Sequence, residues 1–195
     1  MSVIYDDSNH VYTLDGERLP SVTGVLPEQR FFCTPEQLEA AREDGDENHS
    51  LIKMYFDTGE TGDSPMLVAL SEWIDENRSM LGDLVEYETP LASKSFKFAG
   101  KPDAIFTKAI VDWKRNPGDK KREALQLGGY HRLAVENKLT AKTRTHIIAW
   151  YDGKKFKCRN VWDVMAEDVF LALVKKYHIE KEVERWMKKS WNRKS

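Results

Sequence analysis

The sequence predicts an α/β or α+β layer fold, with a central mixed β-sheet flanked by helices, an N-terminal β-meander and a long C-terminal helix. Two observations carry this. Apolar residues recur with a period of two in some blocks and near 3.6 in others, in the order strands, helix, strands, helix. Turn signals separate the blocks: Asp15-Gly16, "TGETGDSP" (58 to 65), Asn116-Pro117-Gly118 and Asp152-Gly153.

Each element follows from local chemistry. "VIYDDSNHVYTLDGERLPSVTGVL" alternates and turns at Ser8-Asn9 and Asp15-Gly16, which reads as short scaffold strands within residues 1 to 30, with Ser21 as a helix cap. Thr34 as N-cap, Pro35 at the first helical position and Gln37 closing a capping box start a helix that runs to about Phe56 and carries His49 on its later turns. "MLVALSEWIDENRSML" has helical spacing at Leu67, Leu70, Trp73 and Ile74, and Gly82 ends it. From Leu84 the period becomes two, so "LVEYETPLA", "SFKFAGKPDAIF" and "AIVDWK" read as three successive strands of one sheet. Asp119 caps a helix to about Asn137. A hairpin about Asp152-Gly153 follows, then an amphipathic helix from Asp163 to about Lys189. Its Met165, Val169, Leu173, Tyr177, Val183, Trp186 and Met187 are expected to face a core.

Length and composition favour one domain over residues 1 to 195. "MLVAL" (66 to 70) is too short to span a bilayer and the N-terminus lacks a signal-peptide pattern, so the expected location is the cytosol, with no membrane partner. Cys33 and Cys158 stand 125 positions apart without CxxC spacing and are read as reduced and structural. The net charge of −2 hides an asymmetry: residues 1 to 92 carry 20 Asp and Glu against 5 Lys and Arg, and residues 93 to 195 carry 12 against 25. Two solvated faces would account for this, as would a surface for a polyanion.

The chemistry concentrates in "GKPDAIFTKAIVDWK" (100 to 114). If the strands ending at Phe106 and beginning at Ala109 form a hairpin, partner numbers sum to 215 and Asp103 stands opposite Asp112, both carboxylates on one face. Both faces are apolar enough to be covered, so the pair is expected to be buried, where like charges repel and an uncompensated carboxylate costs several kcal/mol. Lys114, two residues beyond Asp112, supplies one positive charge; a hard divalent cation held by oxygen ligands is the more economical answer. Glu86 and Glu88 alternate onto one face of a preceding strand, and Gln126 and Tyr130 stand at i and i+4 on the following helix.

On these residues the chain resembles the PD-(D/E)XK nuclease superfamily, in its RecB-like and phage exonuclease branch. "KPDAIF…IVDWK" is similar to the Pro-Asp … Asp-x-Lys core, "GDENH" (45 to 49) to the upstream Gly-x-x-x-His, and "QLGGY" (126 to 130) to the Gln-x-x-x-Tyr motif. "HVYTLDGERLPSVTGVL" is similar to the opening of phage-type members. The resemblance implies a restriction-endonuclease-like core with its motifs in residues 84 to 137. It implies Asp103, Asp112, His49 and a strand carboxylate as ligands of Mg²⁺ or Mn²⁺, with Glu88 preferred to Glu86, and Lys114 as the catalytic lysine. Gln126 and Tyr130 would position the substrate strand or brace the site. Two cysteines cannot build the iron-sulfur cluster of some relatives, and without a Gly-x4-Gly-Lys-Ser/Thr motif any unwinding falls to a recombination or replication partner.

The expected activity is metal-dependent hydrolysis of DNA phosphodiester bonds, as by a phage-type exonuclease, on single- or double-stranded DNA. The rivals are a non-catalytic nucleic-acid-binding module on the same fold and an RNA-cleaving endonuclease. Lys120, Lys121 and Arg122, with Arg132, Lys138, Lys142 and Arg144, are candidate phosphate contacts. His10, His131, His146 and His178 read as structural or surface residues. Gly128-Gly129 reads as close packing against the sheet or as room for a nucleic-acid backbone. Oligomeric state is left open.

Overall fold

The structure, a computed structural model, describes residues 3–28, 34–140 and 144–191. Cys33 and Lys142 lie outside them, as does the side chain of Gln37. The chain opens with β1 (Ile4–Asp6), β2 (Val11–Leu14) and β3 (Glu17–Leu19), an antiparallel meander. Ser21 caps the short α1 (Val22–Val25) by accepting the Gly24 amide at 2.9 Å. Then come α2 (Pro35–Thr58), α3 (Pro65–Glu76) and α4 (Arg78–Leu81). The expected single helix over 66 to 81 is broken at Asn77, whose side-chain amide bonds the Trp73 carbonyl at 2.8 Å and so competes with the helical ladder.

A five-stranded mixed sheet forms the centre. It is built from β4 (Leu84–Tyr87), β7 (Ala104–Phe106), β8 (Ile110–Trp113), β9 (His146–Tyr151) and β10 (Phe156–Asn160), in the order β10-β9-β8-β7-β4. Only β8 and β9 run parallel, and their crossover is α5 (Lys120–Glu136). The β7–β8 register pairs Ala104 with Val111 and Ile105 with Ile110, which is the sum of 215. The three long strands expected from Leu84 onward are five short ones: β5 (Leu91–Ser93) and β6 (Phe98–Gly100) leave the main sheet and pair with each other. Pro90 and Pro102, which lack the ladder N–H, stand at those exits, and Glu88 at φ 44° turns the chain out of β4.

Alternation divides the core. Ile105, Ile110 and Ile148 face one layer, built from α1, α5 and α6 (Ala166–Trp191); Ala104, Phe106, Val111, Trp113 and Ile147 face the other, built from α2 and α3. On α6 the buried stripe is Ala166, Phe170 and Val174, whereas Met165, Val169, Val183, Trp186 and Met187 are exposed, against expectation. The stripe is displaced because α5 presses on this helix. A Cβ on Gly128 would lie 2.9 Å from the Glu167 backbone nitrogen, and one on Gly129 would lie 2.8 Å from the Phe170 ring. The glycine pair therefore admits α6, not the sheet. Among the described residues no helix is long and apolar enough to cross a membrane.

His146, at the start of β9, is buried with neither ring nitrogen hydrogen-bonded, and its ring lies 5.2 Å from that of His131. Burial, reinforced by His131 and opposed by Glu167, pushes its pKa down to about 4. The folded state thus holds it neutral, and its contribution to stability is present above the unfolded value of about 6.5 and lost as pH falls toward 4. Urea midpoints should drop between pH 7 and pH 5 in the parent and drop less in His146→Leu. A second expectation concerns the helix pair. Gly128→Ala should destabilise by about 1–3 kcal/mol in urea titration, because overpacking a backbone contact outweighs the gain in helix propensity.

Candidate active site

The sheet brings the predicted carboxylates together. Asp112 sits within β8 and Asp103 one residue before β7, both on the face that looks toward α5. Asp112 is 1 % exposed. Its Oδ1 accepts from Gln126 Nε2 at 2.9 Å, and its Oδ2 lies 2.7 Å from Lys114 Nζ, close enough for an ion pair though poorly aligned for a hydrogen bond. Asp103 Oδ2 accepts the Trp113 amide at 2.7 Å, which ties the start of β7 across to the end of β8. Burial pushes the Asp103 carboxyl up, and the Asp112 charge pushes it further against the pull of His49 and Lys114. Such a pair stores electrostatic work that a cation would release.

Glu88 and His49 close the other side. The left-handed turn at Glu88 carries its backbone amide onto the Asp103 carbonyl at 3.1 Å. Its carboxylate meets His49 Nδ1 at 3.4 Å and Lys101 Nζ at 3.1 Å. His49 Nδ1 is also 3.8 Å from Asp103 Oδ1, while its Nε2 lies 3.2 Å from the Trp113 carbonyl. The Asp103 charge, outweighing burial, holds the imidazole pKa up at about 9, so His49 is protonated at neutral pH in this arrangement. The His49 hydrogen bond, and then Lys101, hold the Glu88 carboxyl low. Glu86 points elsewhere: it accepts the Thr89 hydroxyl at 2.7 Å. The β-bulge between Leu84 and Glu86 and the turn at Glu88 decide between two glutamates that strand parity left equal.

Lys114 donates to Gln126 Oε1 at 3.4 Å. Burial opposes its charge, but Asp112 and Asp103 outweigh it and hold the ammonium above its ordinary value. Tyr130 is buried, and its hydroxyl oxygen accepts from Gln126 Nε2 at 3.3 Å. Gln126 thus links Tyr130 to the Asp112 carboxylate. Gly100 makes this approach feasible, since a Cβ there would fall 3.0 Å from the Tyr130 ring.

The basic residues are less concentrated than the sequence implied. Lys120 and Lys121 are exposed on the first turn of α5. Arg122 donates to the Pro27 carbonyl and is already engaged. Arg132 pairs with Glu167 and lies over Phe96, and Arg144 lies over Trp162. Tyr5, His10 and Tyr12, which sequence reasoning assigned to scaffold or surface, line the cleft over the site, and so do Lys53 and Lys101, to which it assigned no role. No spacing rule could link positions so distant along the chain.

A hard divalent cation fits these residues in kind. Three carboxylates and an imidazole surround the spot, and Asp112 Oδ2 is a buried oxygen without a hydrogen-bond donor. As they lie, no three His, Cys, Asp or Glu side chains among the described residues converge tightly enough to hold a metal, and Lys114 and His49 supply the positive charge.

No protein-family model and no curated protein matches the sequence. The backbone superposes on the crystal structure of an alkaline exonuclease from Laribacter hongkongensis with a TM-score of 0.52, covering 91% of this chain and 95% of that one at 12% identity. The two proteins share a fold. Equivalence of individual residues does not follow at that identity, so the site rests on its own geometry.

One expectation isolates the brace. Gln126→Leu leaves Asp112 Oδ1 buried without its donor and should cost about 1–3 kcal/mol, read from the urea midpoint.

Proposed function

We propose that this chain is a Mg²⁺- or Mn²⁺-dependent deoxyribonuclease of the PD-(D/E)XK type, a phage-type exonuclease hydrolysing phosphodiester bonds in DNA. The observation that carries the reading is a buried Asp112 and a mostly covered Asp103 close enough to raise each other's charge cost where β7 meets β8, with Lys114 on Asp112 and His49 and Glu88 alongside. A structural ion cluster would need no such density of like charge. The shared fold with an enzyme named as an exonuclease supports it further.

In this reading Asp103, Asp112 and Glu88 would hold the metal, with His49 as a further ligand. The Trp113 carbonyl takes the Nε2 side of His49 and leaves Nδ1 toward the carboxylates, the nitrogen that would bind once deprotonated. When bound, the ion would polarise the phosphoryl group and lower the pKa of a water molecule. Lys114 orients that water and holds a fixed positive charge beside the charge that builds on the phosphoryl oxygens. Gln126, braced by Tyr130, keeps Asp112 in its rotamer. Lys120 and Lys121 contact the nucleic-acid backbone as it leaves the site, with Arg122 anchoring that turn through Pro27. Unwinding of duplex DNA would come from a recombination or replication protein.

The test incubates end-labelled linear DNA, circular DNA and RNA with the protein, with and without Mn²⁺. Linear DNA should be degraded only with metal, and Asp112→Asn and Lys114→Ala should each lower the rate by about a hundredfold or more. Variants as active as the parent would refute the assignment. Cleavage confined to RNA would transfer the site to the RNA endonuclease reading, and tight DNA binding without turnover would leave only a binding module.

A further inference from the structure

The candidate site opens onto a cleft of about 750 Å³. His49, Glu88 and Asp103 form part of its lining; the N-terminal sheet, through Tyr5, His10 and Tyr12, forms another. The register of β1 and β2 sets Tyr5 opposite Tyr12, so the rings share a face and stack at 4.5 Å with an interplanar angle of 25°. Tyr12 is buried; Tyr5 remains partly open to solvent. The Tyr5 hydroxyl meets His10 Nδ1 at 2.9 Å, and His10 is exposed at φ 49°. Backbone strain of that kind in a non-glycine residue concentrates where a side chain must be held for a ligand.

Two lysines connect this wall to the site. Lys101 Nζ lies 5.4 Å from the Tyr5 ring centroid, 3.1 Å from Glu88 and 3.9 Å from Asp7. Lys53 lines the same cleft, its ammonium held by Asp57 at 2.5 Å, so that a phosphate would compete with Asp57 and with Glu88 for the two lysines. An aromatic face, an imidazole and ammonium groups side by side match a nucleotide, whose base stacks and whose phosphate seeks cations. The size also fits. A cleft within the range of small-ligand sites, about 300–1,000 Å³, has room for a nucleotide or so inside it. In a duplex, moreover, the base faces are already covered, so only an unpaired base can use the ring.

We infer that the N-terminal sheet is the strand grip of this enzyme: Tyr5, backed by Tyr12 and steered by His10, stacks an unpaired base while Lys101 and Lys53 face its phosphate, which makes a single-stranded end the substrate. This rests on the nuclease reading of the adjoining site and adds to it a substrate class and the residues that select it.

The experiment compares Tyr5→Ala, Tyr5→Phe and His10→Ala with the parent on a short single-stranded oligonucleotide and on a blunt duplex. Methyl p-nitrophenyl phosphate, a phosphodiester with no base to stack, serves as the third substrate. The parent should prefer the single strand. Tyr5→Ala should raise KM for it by about tenfold with kcat little changed, in keeping with the loss of one base–aromatic stack. Tyr5→Phe should restore the parent KM, and the nitrophenyl substrate should be cut equally well by all. An unchanged KM in Tyr5→Ala, or a parent that prefers the blunt duplex, overturns the inference. If Tyr5→Ala loses the nitrophenyl activity as well, the ring is structural and His10→Ala decides: a raised KM supports the grip and an unchanged one overturns it. Fluorescence anisotropy with a labelled oligonucleotide and no metal separates the two readings. A parent that binds the single strand, loses that binding in Tyr5→Ala and cuts nothing keeps the grip and fails the nuclease proposal alone.

Discussion

Two carboxylates that repel each other, Asp103 and Asp112, are forced together by the pairing of β7 with β8, and much of the molecule is arranged around that cost. Four neighbours of the pair answer it. Lys114 brings a positive charge to one oxygen of Asp112, Gln126 brings an amide to the other, the Trp113 amide caps Asp103, and His49 is held protonated by the field of the group. Solvent could relieve the same repulsion far more cheaply, so the shielding of these charges from water has to be met by the groups packed against them.

The architecture delivers these groups from four directions. β8 lies at the middle of the main sheet, where both faces are covered, and its crossover helix α5 returns over Asp112 and places Gln126 on it, with Tyr130 behind Gln126. Three glycines let the backbones close to the required distance: Gly100 beneath Tyr130, and Gly128 and Gly129 against α6. The long α2 brings His49 to the Trp113 carbonyl at the end of β8. The turn at Glu88 then aims its carboxylate inward at the point where the chain leaves the sheet.

The fold shared with a bacterial alkaline exonuclease at 12% identity shows how little of the sequence the architecture requires. Alternation of apolar residues and short turns suffice for the layers, and many side chains satisfy them. A site is less tolerant, because charge, reach and hydrogen-bond count are set atom by atom. The chemistry open to this chain accordingly depends on the carboxylates and their partners, and on the cleft that the N-terminal sheet completes.

By itself the sequence determined what depends on neighbours along the chain. Periodicity and capping residues gave most of the elements and their order, including Ser21 and Asp119 at helix starts. The pairing of Ala104 with Val111 and Ile105 with Ile110 was readable because a short hairpin has few registers. Tertiary structure alone decided the rest. Strand parity could not choose between Glu86 and Glu88, since a bulge and a left-handed residue break parity between them. Helical spacing put Met165, Val169, Val183, Trp186 and Met187 toward the core, and contact with α5 buried Ala166, Phe170 and Val174 instead. The place of Tyr5 and His10 beside Asp103 depends on how separate sheets pack across a hundred residues of chain. Local pattern records the conformational preference of each segment, whereas the meeting of distant segments is settled by shape and charge in three dimensions.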